Sequence, residues 1–179
     1  MRAVLLSIKP KWCELIIQGK KTIEIRKTKP KIELPFKCYI YCTQGSTKDL
    51  STIGQDIYEK RMQVIGEFVC DEIIPINVFE NGSIQNYICY NMEHSCVPYD
   101  DIANYIGNGC CGYGWHISDL VIYDESKELS EFKPPCDGFD KRCQVSCALI
   151  TIDGKSRCTR RQITRPPQSY MFVESLEEI

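Results

Sequence analysis

Gly19, Lys21, Glu24 and Arg26 stand in the pattern Gly-x-Lys-x-x-Glu-x-Arg. A glycine can end a helix, and the alternation Thr22-Ile23-Glu24-Ile25-Arg26 predicts a strand directly after it. The turn then presents Lys21. On the strand, Glu24 and Arg26 fall on one face, and Ile23 and Ile25 on the other. A lysine and an arginine together can hold a phosphate or a carbonyl, the arginine through a planar fork. A carboxylate between them can orient the arginine, accept from a base edge or transfer a proton. The same spacing also describes a plain exposed strand face with a surface ion pair.

Other residues invite chemistry more weakly. His116 and Ser118 share a strand face, as a Ser–His pair would, but residues two apart on a strand rarely make the required hydrogen bond. Trp12, Tyr39, Tyr41, Tyr113 and Trp115 offer stacking surfaces for a base, or core. Cys136, Cys143, Cys147 and Cys158 lie in a polar stretch, where four thiolates can bind zinc. Their spacing C-x6-C-x3-C-x10-C lacks the paired C-x2-C form, so small buried hydrophobes are the alternative. No other cofactor is expected. Lys155, Arg157, Arg160, Arg161 and Arg165 form a basic run, either a second phosphate-tracking surface or a solvated loop.

The chain that must position these groups has 179 residues, 43% hydrophobic and 26% charged. That predicts a single domain with a core of its own. No apolar run approaches the roughly 20 residues needed to cross a bilayer, so no membrane partner is expected. Met1 to Ile8 is too short an apolar stretch for a signal peptide. Twelve cysteines without a secretion signal then point to reduced thiols and a cytoplasmic location. The net charge is −2, but residues 1–48 hold eleven Lys or Arg against three Glu, a local balance of +8. The remainder carries −10. A basic end suits a polyanionic partner at one face.

The elements follow from the hydrophobic periods. Residues 3–8 read as a buried strand. Pro10 can open a helix whose apolar stripe runs through Trp12, Cys13, Leu15, Ile16 and Ile17 before Gly19 stops it. Residues 37–43 read as a strand, and Val64 begins one that extends to Ile76. Residues 44–61 hold a short helix, and Asp100 to Ile106 another. Tyr113 to Tyr123 reads as one strand, Ala148 to Ile152 as a strand docked on the main body, and Tyr170 to Val173 as the last. Strands outnumber helices and no Gly-rich phosphate loop is present, which predicts an α+β mixed barrel with one or two flanking helices.

The pattern Gly19-x-Lys21-x-x-Glu24-x-Arg26 resembles the signature of the ASCH domain, a branch of the PUA-like superfamily. Leu6-Ser7-Ile8-Lys9-Pro10 is similar to the usual ASCH opening, Val64 to Phe68 to its next barrel strand, Tyr113 to Ser118 to a late strand of bacterial and phage members, and Arg165 to Tyr170 to their ending. Residues 80–111 and 134–158, the latter Cys-rich, look like insertions. The resemblance implies a PUA-like β-barrel and a cleft for RNA or a nucleotide-like ligand, with Ser7, Lys9, Lys21, Glu24, Arg26, Trp115, His116 and Ser118 as contacts. Some members resembling this chain hydrolyse a modified nucleoside amide with a lysine, a threonine and a later glutamate. Carried over, these positions are Lys21, Glu24 in place of the threonine, and Glu67. An enzyme therefore remains open, with Lys21, Glu24 and Glu67 as its catalytic set. So does a protein-interaction domain in transcription or phage regulation, with a protein partner on the acidic middle.

Overall fold

The structure is a computed structural model that describes residues 2–85, 93–135, 149–152, 155–158 and 162–176. Strand β1 (Arg2–Ile8) leads into helix α1 (Pro10–Ile17), strand β2 (Ile23–Arg26) and strand β3 (Phe36–Cys42). Two short helices, α2 (Thr47–Leu50) and α3 (Gln55–Glu59), precede β4 (Val64–Cys70) and β5 (Ile73–Asn77). Helix α4 (Tyr99–Ile106), β6 (Cys111–His116) and β7 (Ser118–Lys127) follow. The last strands are β8 (Leu149–Ile152), β9 (Lys155–Cys158) and β10 (Tyr170–Glu174).

The main sheet has the order β10-β1-β3-β4-β7. Strand β1 sits inside it, antiparallel to β10 and parallel to β3. A strand covered on both faces needs an unbroken apolar run, which Ala3-Val4-Leu5-Leu6 supplies. Its two faces feed two cores. Val4, Leu6 and Ile8 pack with Cys38, Ile40, Cys42 and the α1 residues Cys13 and Ile16. Ala3 and Leu5 pack with Tyr39, Tyr41, Phe132 and Val173 on the other side. The small sheet β2-β6-β5 buries Ile23, Ile25 and Ile76 against Ile102 and Ile106 of α4.

Four expectations need correction. The stretch from Val64 to Ile76 is two strands, β4 and β5, and the stretch from Tyr113 to Tyr123 is also two, β6 and β7. In each pair the chain leaves one sheet for the other, at Asp71-Glu72 and at Ile117. Hydrophobicity continues through both corners because each sheet buries its own face, so the pattern carries no break. For the same reason the described residues form no closed barrel: two separate ladders stand where a continuous one was expected. Strand β8 forms, but it pairs with β9 in a two-stranded sheet of its own and joins neither larger sheet. Residues 153–154, between β8 and β9, lie outside the described residues.

Candidate functional site

Gly19 ends α1 with φ at +68°, a conformation that costs a side chain with a Cβ. The next two amides, of Lys20 and Lys21, both return to the Leu15 carbonyl. This tight exit turns the Lys21 side chain inward, where it is 1% exposed. Its ammonium donates to the Ile23 carbonyl at 2.8 Å and the Ser95 carbonyl at 2.6 Å, and lies 3.4 Å from Glu24 Oε2. All three of its donors thus meet protein acceptors. Burial lowers the Lys21 pKa, and the charge and hydrogen bond of Glu24 oppose that shift.

Glu24 and Arg26 are also buried, at 6% and 5% exposed. The other Glu24 oxygen lies 3.1 Å from Arg26 Nη2, so one carboxylate joins two cations. Arg26 Nη2 further donates to the Ser7 carbonyl at 2.7 Å, and Nη1 to the Ser169 carbonyl at 3.3 Å. Ser7 Oγ in turn donates to the Pro167 carbonyl at 2.6 Å. These bonds fasten residues 167–169 beside the motif. Arg26 Nε is buried with no hydrogen-bond partner among the described residues.

The three charged residues line a cavity of about 700 Å³. That lies within the range of small-molecule sites. Lys9, Lys11 and Trp12 of the α1 entry form one side, and Asp101 and Tyr105 of α4 another. Tyr105 is 42% exposed, with the Lys27 ammonium 5.2 Å from its ring centroid. Trp12 carries the Lys11 ammonium at 4.3 Å and the Lys21 ammonium at 5.1 Å. The lining mixes buried charge, exposed cations and two aromatic rings, which can accept a planar polar ring and an anion together.

The family model of the ASCH domain matches residues 6–133. The chain belongs to the ASCH domain family. Its fold is similar to the crystal structure of ASCH from Zymomonas mobilis, with TM-score 0.58 and 16% identity over 96% of this chain and 87% of that one. A serine-to-alanine mutant of the Zymomonas protein compares alike, and a tyrosine-to-phenylalanine mutant gives 0.57 at 15% identity, covering 90% of its chain. Among curated proteins, none matches the sequence.

Lys21, Glu24 and Arg26 line one cavity together with Ser7 and Lys9. Trp115, His116 and Ser118 do not join them. Trp115 is fully buried against Phe36 and Tyr170, because β6 directs it into the main core. His116 Nδ1 lies 2.7 Å from Asp71 Oδ1, and Ser118 Oγ donates to the Val69 carbonyl, both at the sheet corner. Glu67 faces the far side of the main sheet. Its carboxylate takes Lys37 at 2.6 Å and the Tyr123 hydroxyl at 2.5 Å. Strand alternation gives Glu67 the face of its cross-strand partner Tyr39, away from α1 and the motif. Cys136, Cys143 and Cys147 lie outside the described residues, as does the side chain of Cys158.

Sequence reasoning missed Lys11, Thr43, Asp101 and Tyr105 as lining residues. The last two come from the segment that looked like an insertion, yet its described part walls the cavity. A sequence signal did exist: Asp101, Ile102 and Tyr105 have helical spacing, with Ile102 buried beside the two exposed polar-tipped neighbours.

Proposed function

We propose that the cavity binds a single-stranded RNA base or a nucleotide-like ligand. The observation that carries this reading is the buried Lys21–Glu24–Arg26 constellation lining a nucleotide-sized cavity whose sides bear Trp12, Tyr105 and two lysines. Glu24 is the acceptor for the N–H groups of a base edge, held in orientation by its two cations. Tyr105 is the stacking surface. The buried ion pairs supply a rigid polar floor rather than stability.

Trp12 provides the test, because the only other tryptophan, Trp115, is sealed in the core. RNA oligonucleotides and nucleosides titrated at low salt should change tryptophan emission saturably, and Trp12→Phe should abolish the change. If neither class binds, the reading is wrong.

A second reading, hydrolysis of a nucleoside amide or of RNA, rests on two features. Lys21 has a lowered pKa, and the Thr43 side chain borders the same cavity with no hydrogen-bond partner among the described residues. In that case Glu24 is the general base, since Glu67 is engaged elsewhere. Turnover of acetylated cytidine or RNA that is unchanged in Lys21→Ala would exclude it.

A further inference from the structure

We propose that the loop between β2 and β3 is a phosphate track at the rim of the cavity, so the partner is a single strand of RNA several nucleotides long rather than a free nucleotide. This rests on the nucleotide reading above and adds to that site the surface along which the strand leaves it.

Strand β2 ends at Arg26, which lines the cavity, and the chain continues as Lys27-Thr28-Lys29-Pro30-Lys31. All three lysines are exposed. Pro30 is buried and Ile32 packs against the main core, so the loop is anchored from beneath while its lysines stay in solvent. Tyr105 ties the loop to the site. It lines the cavity wall, and the Lys27 ammonium lies 5.2 Å from its ring centroid. The Lys29 ammonium lies in the same way over Tyr113, at 5.5 Å. Tyr113 is the cross-strand partner of Arg26. Each ring therefore seats a lysine at, or next to, a residue of the cavity.

What holds these cations decides what they can do. A carboxylate would cancel an ammonium, whereas an aromatic ring attracts it and leaves its charge intact. Lys27, Lys29 and Lys31 make no ion pair among the described residues. Neither Glu33, two residues beyond Lys31, nor Asp101, one helical turn before Tyr105, pairs with any of them. A free nucleotide seated in the cavity has no use for three cations spread along an outlying loop. A strand has one: the phosphates beyond the seated base can each displace counterions from a lysine. The ring contacts have already restricted two of those side chains, which lowers the entropy cost of holding a strand there.

Calorimetric titration of the full chain tests this with the 5′-monophosphates of cytidine, adenosine and uridine and with RNA hexamers of each base, over a range of salt. A hexamer should bind at least thirtyfold tighter than its monophosphate, beyond the gain that six equivalent bases give by statistics alone. Combining Lys27→Gln, Lys29→Gln and Lys31→Gln should collapse that ratio toward the statistical gain. The same variant should flatten the dependence of log affinity on log salt by about 2, at about 0.7 for each lost phosphate contact. Lys27→Arg, Lys29→Arg and Lys31→Arg together should keep both the ratio and the slope, and thermal melts confirm that each variant is folded. A hexamer that gains no more than statistics overturns the track and leaves the mononucleotide site standing. A length gain and salt slope that survive the glutamine substitutions overturn it as well. A polyglutamate peptide that displaces the hexamer at equal charge assigns the loop to an acidic protein and overturns the RNA track. Absence of binding by every nucleotide and hexamer removes the nucleotide reading itself.

Discussion

His116 Nδ1 lies 2.7 Å from Asp71 Oδ1, and this contact joins the two points where the chain leaves one sheet for the other. The His116 amide also donates to the Glu72 carbonyl at 3.0 Å. The β4–β5 and β6–β7 corners are thus fastened side by side. The hydrogen bond from His116 holds the Asp71 carboxyl below the usual aspartate range. Both side chains are more than a third exposed, so the pair contributes less than about 1 kcal/mol. Its share has a definite sign: an acid with a depressed folded pKa stabilises above its unfolded pKa and loses that as pH falls through the folded value. Urea midpoints of Asp71→Asn and the wild type should therefore differ slightly at neutral pH and converge in strong acid.

Lys21 should matter far more. Lys21→Met removes the ammonium that donates to the Ser95 and Ile23 carbonyls and one of the two cations at Glu24. The expected loss is about 3 kcal/mol, read from urea denaturation.

The same residue has a pH signature. Its folded pKa is lowered, so between that value and the ordinary lysine value the unfolded chain binds more protons. Stability contributed by this group then rises with pH across that interval. The wild type minus Lys21→Met stability difference should grow as pH is raised into the alkaline range. A difference that shrinks instead would contradict the burial-driven shift.

Tyr105 tests the stacking face. It is 42% exposed, so Tyr105→Ala should leave the thermal melt nearly unchanged. Base–aromatic stacking is worth about 1–3 kcal/mol, which predicts RNA binding weakened about tenfold or more in fluorescence anisotropy. Tyr105→Phe should retain most of the affinity.

Gly66 tests the main sheet. A Cβ there would fall inside van der Waals contact with the Val121 carbonyl on the neighbouring β7. Backbone cannot swing aside as a side chain can. Gly66→Ala should cost about 1–3 kcal/mol through displacement of β7, measured as a lower urea midpoint.

The sequence by itself determined the signature, the helix stop at Gly19 and the apolar faces. Gly19-x-Lys21-x-x-Glu24-x-Arg26 is local: a turn and a four-residue strand suffice to set its side chains on one side, and the structure keeps them there. The buried run Ala3 to Leu6 and the alternation of Cys38, Ile40 and Cys42 against Tyr39 and Tyr41 are likewise written in order along the chain. The depth of the site is not. An exposed ion pair and a buried one have the same spacing, and the enclosure of Lys21 by Ser95 and of Arg26 by Ser169 comes from residues 70 or more positions away. The placement of Glu67, His116 and Trp115 was decided in the same way. Each sits on a strand whose pattern is clear, but which sheet face points to the cavity depends on where the chain changes sheets. That change happens at Asp71-Glu72 and Ile117, within unbroken hydrophobic stretches. Hydrophobic alternation states that a face is covered; only the tertiary packing states by what.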